Sequence, residues 1–223
     1  MDIKRVAILI DGGNFHHLAI KKLGITEIDF DFEKFVAFLV LDKAIPDNWK
    51  RYYIGTVREK EGDQRSRESM SRQTRLFNDL KKYQWQLQTS KLKARIESIA
   101  VDNRMQDYQK LRKIGISKIV YERKREKGID VMLTTDLIVG AVENAYDMAI
   151  IVSSDADLLP AIDWVRQAKR KHIQYIGFSF PDEENPDKAV RPLPSMIKHS
   201  DTQRVLVESD LRPFIKEHNN VLK

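Results

Sequence analysis

The chain has 223 residues, 42% hydrophobic and 32% charged, which excludes an intrinsically disordered polymer and is enough for one well-cored domain. It has no cysteine, which excludes disulfides and thiolate metal sites, so any metal must be held by oxygen or imidazole. The net charge of +6 is unevenly spread: residues 57 to 127 carry 20 Lys and Arg against 10 Asp and Glu, the rest of the chain 19 against 23.

Such a basic middle draws polyanions through counterion release, although a solvated helical face gives the same pattern. In chain order, the first structural signal is Val6-Ala7-Ile8-Leu9-Ile10, an apolar run without the alternation of a half-exposed strand. It reads as a parallel strand buried on both faces, ending in Asp11-Gly12-Gly13-Asn14. A helix is expected over 31–41 and a strand over 49–56. A polar stretch over 57–75 then leads into a helix over 69–83.

Residues 84–99 suggest strands, and 102–114 have helical spacing through Met105, Tyr108 and Leu111. A strand is expected at 118–122, then a helix over 130–144 whose apolar face runs through Val131, Thr134, Ile138 and Ala141. The second apolar run, Met148-Ala149-Ile150-Ile151-Val152, ends in Ser153-Ser154-Asp155-Ala156-Asp157. A helix over 158–169 and a strand over 173–178 follow. Pro181, Pro186, Pro192 and Pro194 mark a loop before a last strand at 203–207 and a helix at 208–217. No apolar run near the start reaches the ~20 residues of a membrane span, so a soluble, cytoplasmic protein without membrane association is expected.

Alternating strands and helices predict an α/β fold: a three-layer α/β/α sandwich with a mostly parallel central sheet. We read one domain over 1–223, with a basic insertion at roughly 58–116 and a C-terminal strand-helix extension at roughly 181–223. Right-handed crossovers put the carboxyl ends of the strands, and with them both acidic loops, along one edge of the sheet. Asp11 and Asp155 sit at strand ends, where a carboxylate is fixed yet faces solvent, and Asp157 lies near a helix start that favours negative charge. Converging carboxylates raise one another's pKa, and a divalent cation is the usual remedy; oxygen donors select Mg²⁺ or Mn²⁺. Singly, each residue also has a structural reading. Ser154, Asp155 or Asp157 can cap a helix, Asp11 can brace the Gly-Gly turn, and Asp130 can cap its helix or point into the cleft. A haloacid-dehalogenase-like phosphatase is disfavoured, because it needs a second aspartate where Gly13 stands.

Three blocks occur in order: Asp11-Gly12-Gly13-Asn14 after an apolar strand, Lys127-Gly128-Ile129-Asp130 running on to Leu133 and Asp136, and Ser153 to Asp157 after another apolar strand. Together they resemble the NYN domain of the LabA-like and limkain-type proteins, within the PIN-like nuclease superfamily. The resemblance runs from Arg5 to Phe178 and is weakest over 58–116. It implies an acidic pocket that binds Mg²⁺ or Mn²⁺ and, in active members, cleaves RNA phosphodiesters. The implied function is thus a metal-dependent (endo)ribonuclease, with a catalytically weak RNA-binding or scaffold module as the alternative.

By position, the resemblance makes Asp11, Asp130, Asp155 and Asp157 both catalytic and metal-ligating. Asn14 is implied to orient a ligand, and Ser153 or Ser154 to hydrogen-bond into the site. Asp136 matches the second block but lies about 120° around the helix from Asp130, where a surface or supporting contact is the simpler role. Arg65, Arg67, Arg72, Arg75 and Lys127 are expected to contact the RNA partner, and a homo-oligomer is compatible with the sequence. His16 and His17 are expected on the surface of the first helix, outside the chemistry. Tyr52, Tyr53, Trp85 and Tyr108 have two readings, as platforms for bases or as core.

Overall fold

Every residue of Val6–Asp11, the first strand (β1), is buried, because its two faces feed two different cores. Val6, Ile8 and Ile10 pack with Phe15, Phe30 and Phe35 on one side, and Ala7 and Leu9 with Leu133, Leu137 and Ile162 on the other. Side chains alternate across a strand, so a strand covered on both faces must be apolar throughout. The same holds for Met148–Val152. The structure, a computed structural model, describes residues 3–57, 62–91, 93–125, 128–182 and 184–217.

After β1 come α1 (Gly12–Phe15), which runs into a π-helical turn at His16–Ile20, α2 (Phe32–Val40), β2 (Lys50–Thr56), α3 (Gln64–Lys82) and β3 (Gln86–Lys91). Next are β4 (Lys93–Ala100), α4 (Tyr108–Lys113), β5 (Lys118–Arg125), α5 (Ile129–Val142), β6 (Met148–Val152) and α6 (Leu159–Lys169). The chain continues through β7 (His172–Phe178), α7 (Pro194–His199), β8 (Thr202–Leu206) and α8 (Glu208–Leu211).

Six strands form one parallel sheet in the order β3-β2-β1-β6-β7-β8, flanked by helices as an α/β sandwich. The chain works outward from β1 to β3, then returns to β6 and works outward the other way. β1 and β6 therefore flank the point where the winding direction reverses, which opens a crevice at their carboxyl ends.

Several expectations need correction. The strand expected at 118–122 exists, but it pairs antiparallel with β4 in a separate two-stranded ribbon. That ribbon leaves Ile96 79% and Val120 59% exposed, so among the described residues no second apolar layer covers it as the central sheet is covered. The helix expected at 69–83 begins at Gln64, because the Asp63 carboxylate accepts a hydrogen bond from the Arg65 amide and caps it there. The final helix stops at Leu211: Pro213 falls in a 3-10 turn that carries Phe214 into the core beside Phe30, Phe35 and Phe38. In α5 the buried row is Ile129, Leu133, Leu137 and Ala141, while Val131 is 66% exposed. This helix carries apolar residues all round, so periodicity alone cannot choose its inner face.

α5 reaches the sheet through Gly140. A Cβ there would meet the Trp49 ring at 2.0 Å. Trp49 cannot retreat easily, being buried with Arg51 stacked 4.1 Å from one ring centre and Tyr146 at 5.3 Å. Gly140→Ala is expected to destabilise the fold by about 1–2 kcal/mol, the overpacking strain outweighing alanine's better helix propensity. A urea midpoint equal to wild type would contradict this.

Candidate active site

Ile10 and Val152 are paired in register, so β1 and β6 end side by side and Asp11 emerges next to Ser153. Asp11 is buried, and its first oxygen accepts the Asn14 backbone N–H at 3.0 Å. The second accepts the Asn14 side-chain N–H at 2.8 Å and the Ser153 hydroxyl at 3.2 Å. Asn14 also accepts the Ser154 amide at 3.3 Å, which ties the two loops together. The Ser153 oxygen accepts the Asp155 amide at 3.3 Å, and Ser154 shares a 2.7 Å hydrogen bond with the Tyr175 hydroxyl.

Two close fits support this corner. Phe15, directly after Asn14, plugs an aromatic cluster in which its ring lies 5.3 to 5.9 Å from those of Phe30, Phe32, Phe35 and Phe178. Gly12 lies over Tyr52, whose ring atoms would be 2.6 Å from any Cβ. The Tyr52 hydroxyl is buried there without a hydrogen-bond partner among the described residues.

Asp155 caps the turn that precedes α6, its carboxylate accepting the Asp157 amide at 2.9 Å, and Asp157 is exposed on that turn. Asp11 likewise caps α1. The structural roles foreseen for these two residues are therefore real. Asp130 is different. Gly128 occupies the cap position of α5, and among the described residues the Asp130 carboxylate makes no hydrogen bond. It lines a cleft of about 320 Å³ together with Asp11, Asn14 and His17.

The carboxylates feel one another. Burial pushes the Asp11 pKa up against the opposing hydrogen bonds from Asn14 and Ser153, and the charge of Asp155 pushes it further. Asp130 is raised first by burial, then by Asp155, Asp11 and Asp157. As the side chains stand, however, no three His, Asp or Glu residues among the described ones are grouped to hold a metal ion. The four aspartates share an electrostatic field without forming a coordination sphere. Their donor chemistry, hard oxygen under mutual repulsion, fits a hard divalent cation.

The other expected residues separate. On α3, Arg65, Arg67, Arg72 and Arg75 are all exposed. At about 100° per residue, Arg65 and Arg72 share a face and Arg67 lies about 140° from Arg72. Arg72 borders a second cleft, beside the π-turn. Lys127 lies outside the described residues. Asp136 braces α5 against β2, bonded to the Tyr53 hydroxyl at 2.8 Å and to Arg51 at 2.6 Å. Tyr52, Tyr53 and Trp85 are core residues and offer no face to a base; Tyr108 is half-buried on α4.

His17 is the residue that sequence reasoning missed. It is exposed as expected, yet it lines the acidic cleft. The π-turn, with Lys21 N–H bonded to His16 C=O at 2.9 Å, sets its position. An inserted π-turn has no periodic signature, although such turns recur at functional sites.

The sheet order and layering define a PIN-like α/β fold. The chain belongs to the NYN domain family, whose model matches residues 5–195. Among solved structures, a protein of unknown function from Vibrio parahaemolyticus superposes with a TM-score of 0.54 at 17% identity, over 95% of this chain and 98% of that one. At that identity the likeness concerns the fold alone. No curated protein matches the sequence.

The raised pKa of Asp130 has a definite sign. A carboxyl with a folded-state pKa above its unfolded value favours folding while protonated, and that contribution is lost as pH rises through the folded value. In metal-free buffer, Asp130→Asn is therefore expected to melt above wild type near pH 7, with the gap closing toward about pH 4. A variant that melts lower at neutral pH would show that the carboxylate is stabilising.

Proposed function

We propose that the protein is a divalent-metal-dependent ribonuclease acting in the crevice between β1 and β6. One observation carries this reading: Asp130, a carboxylate without a hydrogen-bond partner among the described residues, stands in the field of three others. Helix capping explains Asp11 and Asp155 but not a further bare carboxylate facing them, an arrangement that costs stability until a cation neutralises it. Membership of the NYN family supports RNA as the substrate.

Asp11, Asp130, Asp155 and Asp157 would hold the ion, with Mg²⁺ or Mn²⁺ best suited to an all-oxygen donor set. When bound, it supplies Lewis-acid polarisation of the phosphodiester and a lowered water pKa. The chain's own residues do the positioning. Asn14 and Ser153 fix both Asp11 oxygens, so this carboxylate cannot rotate away. Arg65, exposed on α3, adds positive charge that draws the phosphate backbone of RNA toward that face of the protein. A binding module of low catalytic power is the second reading, favoured by the absence of a three-ligand group among the described residues.

A labelled single-stranded RNA, incubated with Mg²⁺, Mn²⁺ or chelator, separates these. We expect cleavage only with the ion, a loss of at least ~100-fold in Asp155→Asn and a loss of about 10–100-fold in Asn14→Ala. Cleavage that survives both chelator and Asp155→Asn would rule out the aspartate site. RNA that binds but stays intact under every condition selects the binding module.

A further inference from the structure

A second cleft, of about 600 Å³, opens beside the acidic one, and the two share Gly13 and His17. Ile54 and Leu76 give it apolar surface, while His17 borders it from the π-turn and Arg72 from α3. The α3 wall is fixed. Gln73 accepts the Val57 amide at 2.8 Å and donates to the Gly55 carbonyl at 2.9 Å, locking α3 to the end of β2. Its amide is thereby committed to the backbone.

We propose that this cleft takes the base of one nucleotide flanking the phosphate held in the acidic cleft, so that the substrate is a single strand with an unstacked base. This rests on the ribonuclease reading and adds the form of RNA it accepts. The volume falls within the roughly 300–1,000 Å³ of small-ligand pockets, and apolar surface between polar walls suits an aromatic ring edged by heteroatoms. Glu27, also in the lining and 2.7 Å from His16, disfavours a second phosphate here but not a neutral base. A base held in a duplex cannot enter such a cleft, whereas an unpaired one can splay into it. His17 and Arg72 present a ring and a planar cation, both suited to stacking, which tolerates any base.

The test is equilibrium binding in chelator, where no metal is bound and nothing is cut. Fluorescence anisotropy is read on a labelled single strand of about eight nucleotides, on its duplex, and on a series with one abasic residue at each position in turn. Wild type should prefer the single strand, and the abasic series should weaken binding about 10-fold at one position or two adjacent ones. His17→Ala and Arg72→Ala, both surface changes, should each weaken the intact strand similarly and add nothing to the abasic loss. Lys34→Ala, the same charge change on α2, should leave binding unaltered. An abasic series flat at every position, or a duplex bound as tightly as the single strand, overturns the base cleft while leaving an RNA-binding protein. If wild type binds no RNA in chelator, the base cleft is overturned, whereas the ribonuclease reading stands or falls on the cleavage assay with the ion.

Discussion

The structure depends on burying β1 from both sides. A strand apolar on both faces can lie only in the middle of a three-layer sandwich, and pairing in parallel with β2 and β6 satisfies its backbone there. Because both neighbours run parallel to it, every connection must cross over a face of the sheet. The carboxyl ends of β1 and β6 then meet where the winding reverses. The position of Asp11 beside Ser153 follows from the pairing of Ile10 with Val152. The acidic crevice is a consequence of the core.

The crevice combines two demands on the same side chains. Asp11 and Asp155 stabilise the fold as caps, each spending one oxygen on a backbone amide. Asp130, without such a bond among the described residues, adds charge where charge is already dense. Burial and repulsion both penalise its ionised form, a cost that a bound cation would offset on the proposed reading. Asn14 links the two halves: it donates to Asp11 on the β1 loop and accepts from Ser154 on the β6 loop. Through it, a displacement of one loop reaches the other.

The sequence was most legible where packing leaves one choice. The unbroken runs at β1 and β6 admit only doubly buried strands, and the acidic residues following each had to emerge at one edge. Legibility failed where several structures satisfy the same pattern. α5 is apolar all round, so its buried row was misjudged, and a run such as β5 reads alike in a central sheet or in an exposed ribbon. His17 depended on a π-turn that leaves no period. The four arginines of α3 looked equivalent as charges, whereas the helix puts Arg72 against the cleft beside His17. Tyr52 and Tyr53 lie in a strand whose neighbours on both sides are also strands, which turns candidate base platforms into core.

The central claim is that the aspartates form one cation-accepting set, and thermal melting at matched ionic strength tests it without a known substrate. Wild type and Asp155→Asn are melted in chelator, in Mg²⁺ and in Mn²⁺. Wild type is expected to gain about 2.7 kcal/mol when free ion is ~100 times its dissociation constant, and Asp155→Asn to lose most of that gain. Since asparagine caps nearly as well as aspartate, a role confined to capping leaves both proteins equally stable and equally indifferent to the ion. Equal metal responses would remove Asp155 from the set, and no response in either protein would contradict the claim itself.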